Sequence, residues 1–344
     1  MRRSSAPVRR RHQVLGQGLR SASRVGRRGS TDAAAGADRQ HPVGLPRRQR
    51  AAAAGSVCVS VPGRGFCTRA SADTLPPISA QDTFNFDAYA ERIGVGGRPG
   101  LSEIHRAHIV AIPFENLDPH RGVPVSLEPE ALYRKLIDER RGGYCFEHNL
   151  LLKAALETLG ADADLMLARV RVGAPPGTIR PRTHLVLRVR AEGREWHADV
   201  GFGSGTLLEP IPFGPGGVHE QSGWRFRVVP DGDELVLQTA DDAGWIDLYG
   251  FIPEPVPRID VETSNWFTST HPRSPFVTGL IVTSHRPDGT RLSLSNWNEL
   301  AFVTQTPSGS SSVPVDLESV PGLLDSEFGL PGFSLSGEGR IVRR

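Results

Sequence analysis

Cysteine is scarce in this chain of 344 residues, which has three: Cys58, Cys67 and Cys145. Three unevenly spaced cysteines cannot build the disulfide framework that stabilises small secreted domains. Long apolar runs are absent too, since no stretch approaches the about 18 uninterrupted apolar residues of a membrane-spanning helix. With 38% hydrophobic and 23% charged residues, the composition is that of a globular protein with a sizeable core.

Acidic residues are nearly missing from the first 80 positions, which hold 15 Arg and no Lys against three Asp and no Glu. The rest of the chain has 25 Lys plus Arg against 35 Asp plus Glu, so it is mildly acidic. The pI of about 8.6 therefore reflects one terminal arm and does not indicate a basic folded body. The arm has no periodic apolar face, and we expect residues 1–82 to be a disordered, Arg-rich extension.

The Arg-rich, acid-poor composition of this extension leaves three interpretations open. It fits a transit peptide, an arm that binds nucleic acid, or an extension without a selected role, and we favour the last. No apolar segment follows the basic start, so a secretory signal is not expected. We predict a cytoplasmic protein with neither nucleic acid nor a membrane as its partner.

Helical periodicity dominates the next part of the chain, where apolar residues recur at intervals of three and four. The segments with this pattern are FNFDAYAERIGV, LSEIHRAHIVAIPFENLD, LEPEALYRKLIDERR and FEHNLLLKAALETLG. Their apolar stripes include Leu132, Leu136, Leu150, Leu151, Ala155 and Leu159. Gly160 is placed to end the last helix as a C-terminal cap. We predict a helical domain over residues 83–163.

After Asp164 the apolar period changes to two, which indicates strands. The segments are DLMLARVRV, THLVLRVRA, EWHADVGFG, WRFRVVP, ELVLQTA and WIDLYGFI. Several short strands separated by turn residues favour a barrel or sandwich over a doubly wound parallel sheet, and we assign residues 164–275 to it. In residues 276–344, GLIVTSHRPDGTRLSLSN predicts a hairpin with its turn at residues 287–289, and VPGLLDSEFGL a short helix.

The sharpest local feature is RRGGYCFEHNLLLKAAL, where two glycines lead into Cys145 at the start of an amphipathic helix. Unpaired N–H groups and the positive end of the helix dipole favour a thiolate there. A small buried apolar residue is the alternative role, and it is common for a free cysteine.

A cysteine nucleophile needs a base, and the base needs a group that orients it. His184 follows Cys145 by 39 residues, and Asp199 follows His184 by 15, on segments that a hairpin can pair. His197 shares a strand face with Asp199 by alternation and is a second candidate for the base. A metal site using Cys145 and His148 is weakly supported, because structural zinc needs four ligands and the body has no second cysteine.

Five separated motifs give the chain a resemblance to the arylamine N-acetyltransferase family, from about residue 83 to near the C-terminus. They are, in order, IPFENLD, RGGYCFEHN, THLVLRV, WHADVGFG and STHPRSPF. The resemblance implies an α+β fold with an N-terminal helical bundle, a central antiparallel β-barrel, a C-terminal α/β lid and a cysteine-protease-like core. It also implies Cys145 as the acyl-accepting nucleophile, His184 as its base and Asp199 as the orienting carboxylate, which demotes His197.

The implied reaction moves an acetyl group from acetyl-coenzyme A through a Cys145 thioester to an arylamine or hydrazine, with ping-pong kinetics. Acetyl-coenzyme A is a co-substrate, and no permanently bound cofactor or metal is expected. The positions that match the family's contacts are Thr183 and Phe202 for the acceptor, and Phe267, Arg273 and Ser274 for the coenzyme. We also hypothesise that Glu115 and Arg141 form an ion pair that holds the cysteine loop against the first helices.

Other activities remain open at this point. An amide synthase of the same fold would use the same triad but a carrier-bound acyl chain, and an inactive relative would only bind arylamine or coenzyme A. Papain-type peptidases place the histidine about 130–150 residues after the cysteine, which argues against them, while transglutaminase-like spacing is closer. The sequence does not set the oligomeric state or the particular amine.

Overall fold

The computed structural model describes residues 84–175, 177–241 and 243–344 of the chain. The predicted extension, residues 1–82, lies outside them. The helices are α1 Phe86–Ile93, α2 Leu101–Ala111, α3 Leu117–His120, α4 Pro129–Tyr133, α5 Cys145–Thr158, α6 Arg258–Thr270, α7 Pro275–Thr278 and α8 Val320–Ser326. A π-helical turn, Arg134–Asp138, continues α4, and 3₁₀ turns lie at Gly203–Gly205 and Leu317–Ser319.

Capping residues define both ends of α1 and the C-terminal end of α5. The Asn85 side chain accepts the amide of Ala88 at the start of α1, and Gly94 ends that helix in a left-handed conformation. After α5, Gly160 has a φ of +86°, as the predicted C-terminal cap requires. Of the predicted apolar stripe, all residues are buried except Leu159, which is half-buried.

Antiparallel strands make up two main sheets and a small third one. The strands are β1 Phe114–Glu115, β2 Asp162–Val170, β3 Arg182–Ala191, β4 Arg194–Ala198, β5 Ile211–Pro212, β6 His219–Gln221, β7 Trp224–Asp231, β8 Glu234–Asp241, β9 Gly244–Phe251, β10 Ile281–His285, β11 Arg291–Ser295, β12 Ala301–Thr306, β13 Gly309–Pro314, β14 Phe333–Leu335 and β15 Ile341–Arg343. The central sheet runs β5-β4-β3-β2-β9-β8-β7-β6 and curls into a nearly closed barrel; a second runs β1-β10-β11-β12-β13, and β14 pairs with β15.

Strand β3 lies between two hydrophobic cores and is buried on both faces. On one face, Leu185 and Leu187 pack into the core formed with α1, α2 and α5. On the other, Val186 packs into the barrel core with Met166 and Phe226. Fully burying such a side chain stabilises the fold by about 1.5–3 kcal/mol. A third core, with Val282, Leu294 and Leu324 among its members, joins the second sheet to α8.

The fold is therefore α+β, with a helical N-terminal part, a barrel-like central sheet and a C-terminal α/β part. Most of the predicted helices and strands are confirmed, including the hairpin β10–β11 and α8. Two are shorter than predicted: the helix over LSEIHRAHIVAIPFENLD ends at Ala111 and is followed by β1 and α3, and the strand in EWHADVGFG ends at Ala198. The sequence patterns did not predict α6, α7, the π-helical turn or the strands β1, β5, β6, β12, β13, β14 and β15. Within the described residues, no helix is long and apolar enough to cross a membrane.

One feature complicates the predicted boundaries between the three parts. Strand β1 comes from the helical segment but pairs with β10, with Phe114 opposite Thr283 and Glu115 opposite Val282. The C-terminal sheet thus includes residues from the helical segment. The boundaries at 163 and 275 stay a prediction.

Candidate active site

Cys145 is the first residue of α5, and a side chain would not fit at either of the two glycines that precede it, Gly142 and Gly143. A Cβ on Gly142 would lie 2.1 Å from a backbone oxygen, and one on Gly143 would lie 2.7 Å from a carboxylate oxygen of Glu147. That carboxylate accepts the amide of Tyr144 at 3.0 Å and so caps the helix. The glycines therefore allow a tight entry into α5, with the buried Cys145 at its positive end.

The second residue of the site, His184, follows a β-bulge in β3. The register of β2 and β3 passes from His184 to Arg182 and skips Thr183. A bulge leaves its extra residue unpaired and redirects the neighbouring side chains. The carbonyl oxygen of Thr183 lies 3.6 Å from Sγ of Cys145, so the sulfur lies beside His184.

Asp199 lies just beyond the end of β4 and is fully buried. Its Oδ2 accepts a 2.7 Å hydrogen bond from Nε2–H of His184. Its Oδ1 accepts from Nδ2 of Asn149 at 3.0 Å and from the amide of Gly201 at 2.9 Å. Since Nε2 of His184 is engaged with Asp199, Nδ1 is the ring nitrogen left for Cys145.

Electrostatics favour the charged forms of His184 and Asp199 together. Burial alone would lower the pKa of His184, but the charge of Asp199 and hydrogen bonds to Asp199 and Cys145 raise it to about 10. Burial would likewise raise the pKa of Asp199, yet His184, Asn149 and the amide of Gly201 hold it well below its usual range. His184 is therefore a protonated imidazolium at neutral pH, and Asp199 is a carboxylate.

His197, the other candidate base, lies behind Asp199 and does not face Cys145. Its Nε2 is 2.8 Å from the hydroxyl oxygen of Tyr249, and Tyr249 also interacts with Asp199. Burial and the charge of Asp199 raise the pKa of Tyr249 well above its ordinary value, so its hydroxyl keeps its proton. Burial lowers the pKa of His197 to about 4, so this ring is neutral.

His148 does not share a ligand site with Cys145. Its Nε2 donates to the carbonyl of Pro113 at 3.2 Å, and its Nδ1 lies 2.9 Å from Nε2 of His108. Both ring nitrogens are thus used inside the helical core. Among the described residues, no group of three or more His, Cys, Asp or Glu side chains is arranged to hold a metal ion.

The end of the Asp199 segment touches the first turn of α5 directly. A Cβ on Gly201 would lie 2.7 Å from Cα of Cys145. Asn149, one turn after Cys145, binds the same segment, since its Oδ1 accepts the amide of Val200 at 3.1 Å and its Nδ2 donates to Asp199. The helix carrying the cysteine and the strand end carrying the aspartate are therefore locked together.

The predicted ion pair between Glu115 and Arg141 is present and belongs to a larger buried network. Nε and Nη2 of Arg141 donate to Oε1 of Glu115 at 3.0 and 2.5 Å, and Nη1 donates to Asp118 at 3.2 Å. Lys135 contacts Asp118 at 2.8 Å and Glu147 at 2.7 Å. Because Glu147 caps α5, this chain of charges runs from β1 to the cysteine turn.

The predicted substrate positions occupy different environments. The ring of Phe202 lies edge-on to His184, with centroids 4.9 Å apart, and is half-buried. Thr183 and Phe267 line a cleft of about 340 Å³ between the barrel and α6. Arg273 is exposed, whereas the hydroxyl of the buried Ser274 donates to the carbonyl of Thr268 at 2.6 Å and accepts the amide that starts α7.

The residues that support Asp199 were not predicted from the sequence. They differ in whether a local sequence pattern could have indicated them. Asn149 had a local signal, because four residues after Cys145 is the same face of a helix. Tyr249 and His105 had none, since they lie 50 and 94 residues from Asp199 in the chain and meet it through the fold.

Comparison with known proteins identifies relatives of this chain by sequence and by structure. A sequence profile for the family described as N-acetyltransferase matches residues 99–331. An arylamine N-acetyltransferase of Mycolicibacterium smegmatis is 45% identical over 203 residues, which are 56% of this chain and 74% of that protein. An arylamine N-acetyltransferase / N-hydroxyarylamine O-acetyltransferase of Salmonella typhimurium is 34% identical over 242 residues, or 70% and 85% of the two chains. The solved structure of Mycobacterium marinum arylamine N-acetyltransferase in complex with CoA has a TM-score of 0.68 and 37% identity, covering 72% of this chain and 93% of that one.

Proposed function

The chain belongs to the arylamine N-acetyltransferase family, and we propose that Cys145, His184 and Asp199 are the residues with which it moves an acetyl group from acetyl-coenzyme A to an arylamine. The observation that carries this assignment is the 2.7 Å bond between Asp199 and a His184 ring whose other nitrogen is left for a buried cysteine at a helix N-terminus. A nucleophile, a base and a group that orients the base are the components of covalent acyl transfer.

In the first half-reaction, the Cys145 thiolate attacks the carbonyl carbon of the acetyl thioester. The bond from that carbon to the sulfur of coenzyme A breaks, and the imidazolium of His184 gives its proton to the departing thiolate. The amide of Cys145 lies in the first turn of α5, where a helix has no internal acceptor for it. It can therefore donate to the oxygen that becomes negative in the tetrahedral intermediate.

In the second half-reaction, the nitrogen of the acceptor attacks the acetyl group on Cys145. The bond to sulfur breaks, the amine loses a proton to the now neutral His184, and the thiolate–imidazolium pair is restored. An arylamine or hydrazine nitrogen is neutral at pH 7 and needs no strong base to expose its electron pair. Asp199 keeps Nε2 of His184 occupied throughout, so the same ring nitrogen serves both steps.

The cleft beside Thr183 offers a path for the coenzyme. We assign Phe267 a contact with it, and Arg273 an exposed position suited to its phosphates. The hydroxyl of Ser274 is already bonded within the protein, so we assign it the shaping of the turn before α7. Phe202, packed against His184, is placed to bound the acceptor pocket.

Intact mass after brief incubation with acetyl-coenzyme A tests the assignment. The wild-type protein and His197→Ala should gain one acetyl group that an added arylamine removes, and Cys145→Ala and His184→Ala should gain none. His197→Ala is the matched control, because it removes an equally buried histidine from the same sheet. No adduct on the folded wild-type protein would overturn the assignment, and an adduct obtained with an acyl-carrier thioester instead would favour the amide synthase.

A further inference from the structure

The segment that carries Asp199 leaves the sheet at the point where it enters the site. The last pair of the β3–β4 ladder is Leu187 with Ala198, so the next amides have no ladder partner. Side chains accept four consecutive amides: that of Asp199 goes to Nε2 of His105, that of Val200 to Oδ1 of Asn149, that of Gly201 to Oδ1 of Asp199 itself and that of Phe202 to Oγ1 of Thr206. A buried amide without a partner is costly, so these side chains fix the path of the segment.

Two members of this set come from separate helices, Asn149 from α5 and His105 from α2. The ring of His105 is fully buried, with Nε2 3.2 Å from the amide nitrogen of Asp199 and Nδ1 3.2 Å from the carbonyl oxygen of Leu208. The amide can only donate and the carbonyl can only accept. These partners therefore require a neutral ring with its proton on Nδ1.

We propose that His105 is a positioning residue for acetyl transfer: it holds the backbone of Asp199 so that the carboxylate points at His184. The inference rests on the triad proposed above. Rotation of the Asp199 peptide would move Oδ2 away from Nε2 of His184, and a misplacement of about 1 Å in such a site costs on the order of 100-fold in rate. The two hydrogen bonds of His105 go to the backbone of Leu208 and Asp199, so this residue acts on the triad through Asp199.

The environment of His105 favours the neutral form that this role needs. Burial lowers its pKa to about 4, against the opposing effects of the Leu208 carbonyl and of Asp199. Arg106, the charged neighbour on the same helix, also disfavours a second proton. A protonated ring would present Nε2–H to the amide of Asp199, and the bond would be lost.

Substitution separates positioning from stability. His105→Leu removes both hydrogen bonds, whereas His105→Gln keeps one acceptor and one donor. Ile109→Ala is the matched control, because it opens a cavity one turn along the same buried helix without touching Asp199. We expect His105→Leu to lower the rate of Cys145 acetylation about 100-fold per folded molecule, with KM for acetyl-coenzyme A changed less than about twofold.

His105→Gln should recover the rate to within about fivefold of wild type, and Ile109→Ala should keep the full rate once folded protein is counted. A full rate in His105→Leu, an equal loss in Ile109→Ala, or no rescue by Gln would overturn the inference and leave the triad standing. Absence of a Cys145-dependent adduct in the wild-type protein would overturn the triad and this inference together.

A measurement on the unmodified protein gives an independent test if His105→Leu does not fold. Nitrogen NMR of histidine-labelled protein at pH 7 should show His105 neutral and protonated at Nδ1, with scalar coupling across the bond from the Asp199 amide to Nε2. A ring protonated at Nε2, or a charged ring, would contradict the proposal.

Discussion

The two sides of the proposed site are held by opposite kinds of chemistry. We call them the cysteine side, which comprises Glu115, Asp118, Lys135, Arg141, Cys145 and Glu147, and the histidine side, which comprises His105, Asn149, His184, His197, Asp199 and Tyr249. The cysteine side is fixed by buried ion pairs that connect two cations, Lys135 and Arg141, to three carboxylates. The histidine side has one ion pair, His184 with Asp199, surrounded by neutral donors and acceptors.

The proposed acyl transfer makes different demands on the two sides. On the cysteine side, paired charges anchor the loop that precedes α5. This role requires only that the ion pairs stay formed. The histidine side must keep one negative charge aimed at one ring nitrogen, and neutral hydrogen bonds can fix Asp199 without competing for that charge. This side also depends on pH, because two of its neutral groups, His105 and His197, are buried histidines with lowered pKa values.

The largest expected effect is on the histidine side. Asp199→Asn replaces the acceptor of the His184 bond with a group that can donate, so the ring can adopt the wrong tautomer. The rate of Cys145 acetylation should fall about 10⁴-fold, measured by rapid-quench mass spectrometry. Asp164→Asn, which changes a carboxylate on β2 away from the site, should leave the rate intact. A loss below about tenfold would show that Asp199 does not orient His184.

On the cysteine side, we expect a substitution to change mainly the free energy of unfolding. Arg141→Met leaves Glu115 and Asp118 without their shared cation, and breaking a buried pair in this way costs about 3–5 kcal/mol of unfolding free energy. Arg134→Met is the control, since that side chain is 70% exposed and lies 3.9 Å from Glu139, a pair worth under about 1 kcal/mol. Equal losses in urea denaturation would mean that the buried network has no special role.

Gly201→Ala tests the contact between the two sides. Its methyl group would lie 2.7 Å from Cα of Cys145, so the strand end must move away from α5. We expect a loss of about 1–3 kcal/mol in unfolding free energy together with slower acetylation. The control is Gly217→Ala, whose Cβ would meet open space. An unchanged acetylation rate in Gly201→Ala would argue that the two sides work independently.

The histidine side should contribute to the pH dependence of stability, together with His108, His148 and His285, whose pKa values burial also lowers. The pKa of His197 is about 4 in the folded protein and about 6.5 in an unfolded chain, so the unfolded chain binds the extra proton between these values. Stability should fall with falling pH in this window by about 1.4 kcal/mol per pH unit for each such histidine, and His105 behaves alike.

Unfolding measurements between pH 7 and pH 4.5 should therefore show a smaller slope in His197→Phe than in wild type. His184 has the opposite sign. Its folded pKa of about 10 lies above the unfolded value, so its contribution is complete below about pH 6.5 and is lost as the pH rises toward 10. A slope that His197→Phe leaves unchanged would refute this account of acid sensitivity.

Local sequence signals predicted the helices and strands that have strong periodicity, and the fold class with them. Helix α6 was missed because its sequence, RIDVETSNWFTST, is rich in Ser and Thr and buries Ser264, Asn265 and Thr268 where a helical pattern would show apolar residues. Strand β13 was missed because GSSSVP is exposed and lacks apolar alternation. Both elements depend on contacts with residues that are distant in sequence, and a local pattern does not include those residues.

For the site, local residue patterns were enough to predict a cysteine after two glycines at a helix start, and a histidine and an aspartate on segments that a hairpin can pair. Residue type and spacing fix such features because helix ends and strand alternation are local. The residue pattern left both His184 and His197 open, and the family resemblance favoured His184. The fold supports that choice through contacts that no local pattern contains: Sγ of Cys145 lies beside the β-bulge at Thr183, whereas Nε2 of His197 is bonded to Tyr249. The tertiary structure alone also brought His105 to Asp199, because a hydrogen bond across 94 residues of chain depends on how helix and barrel pack.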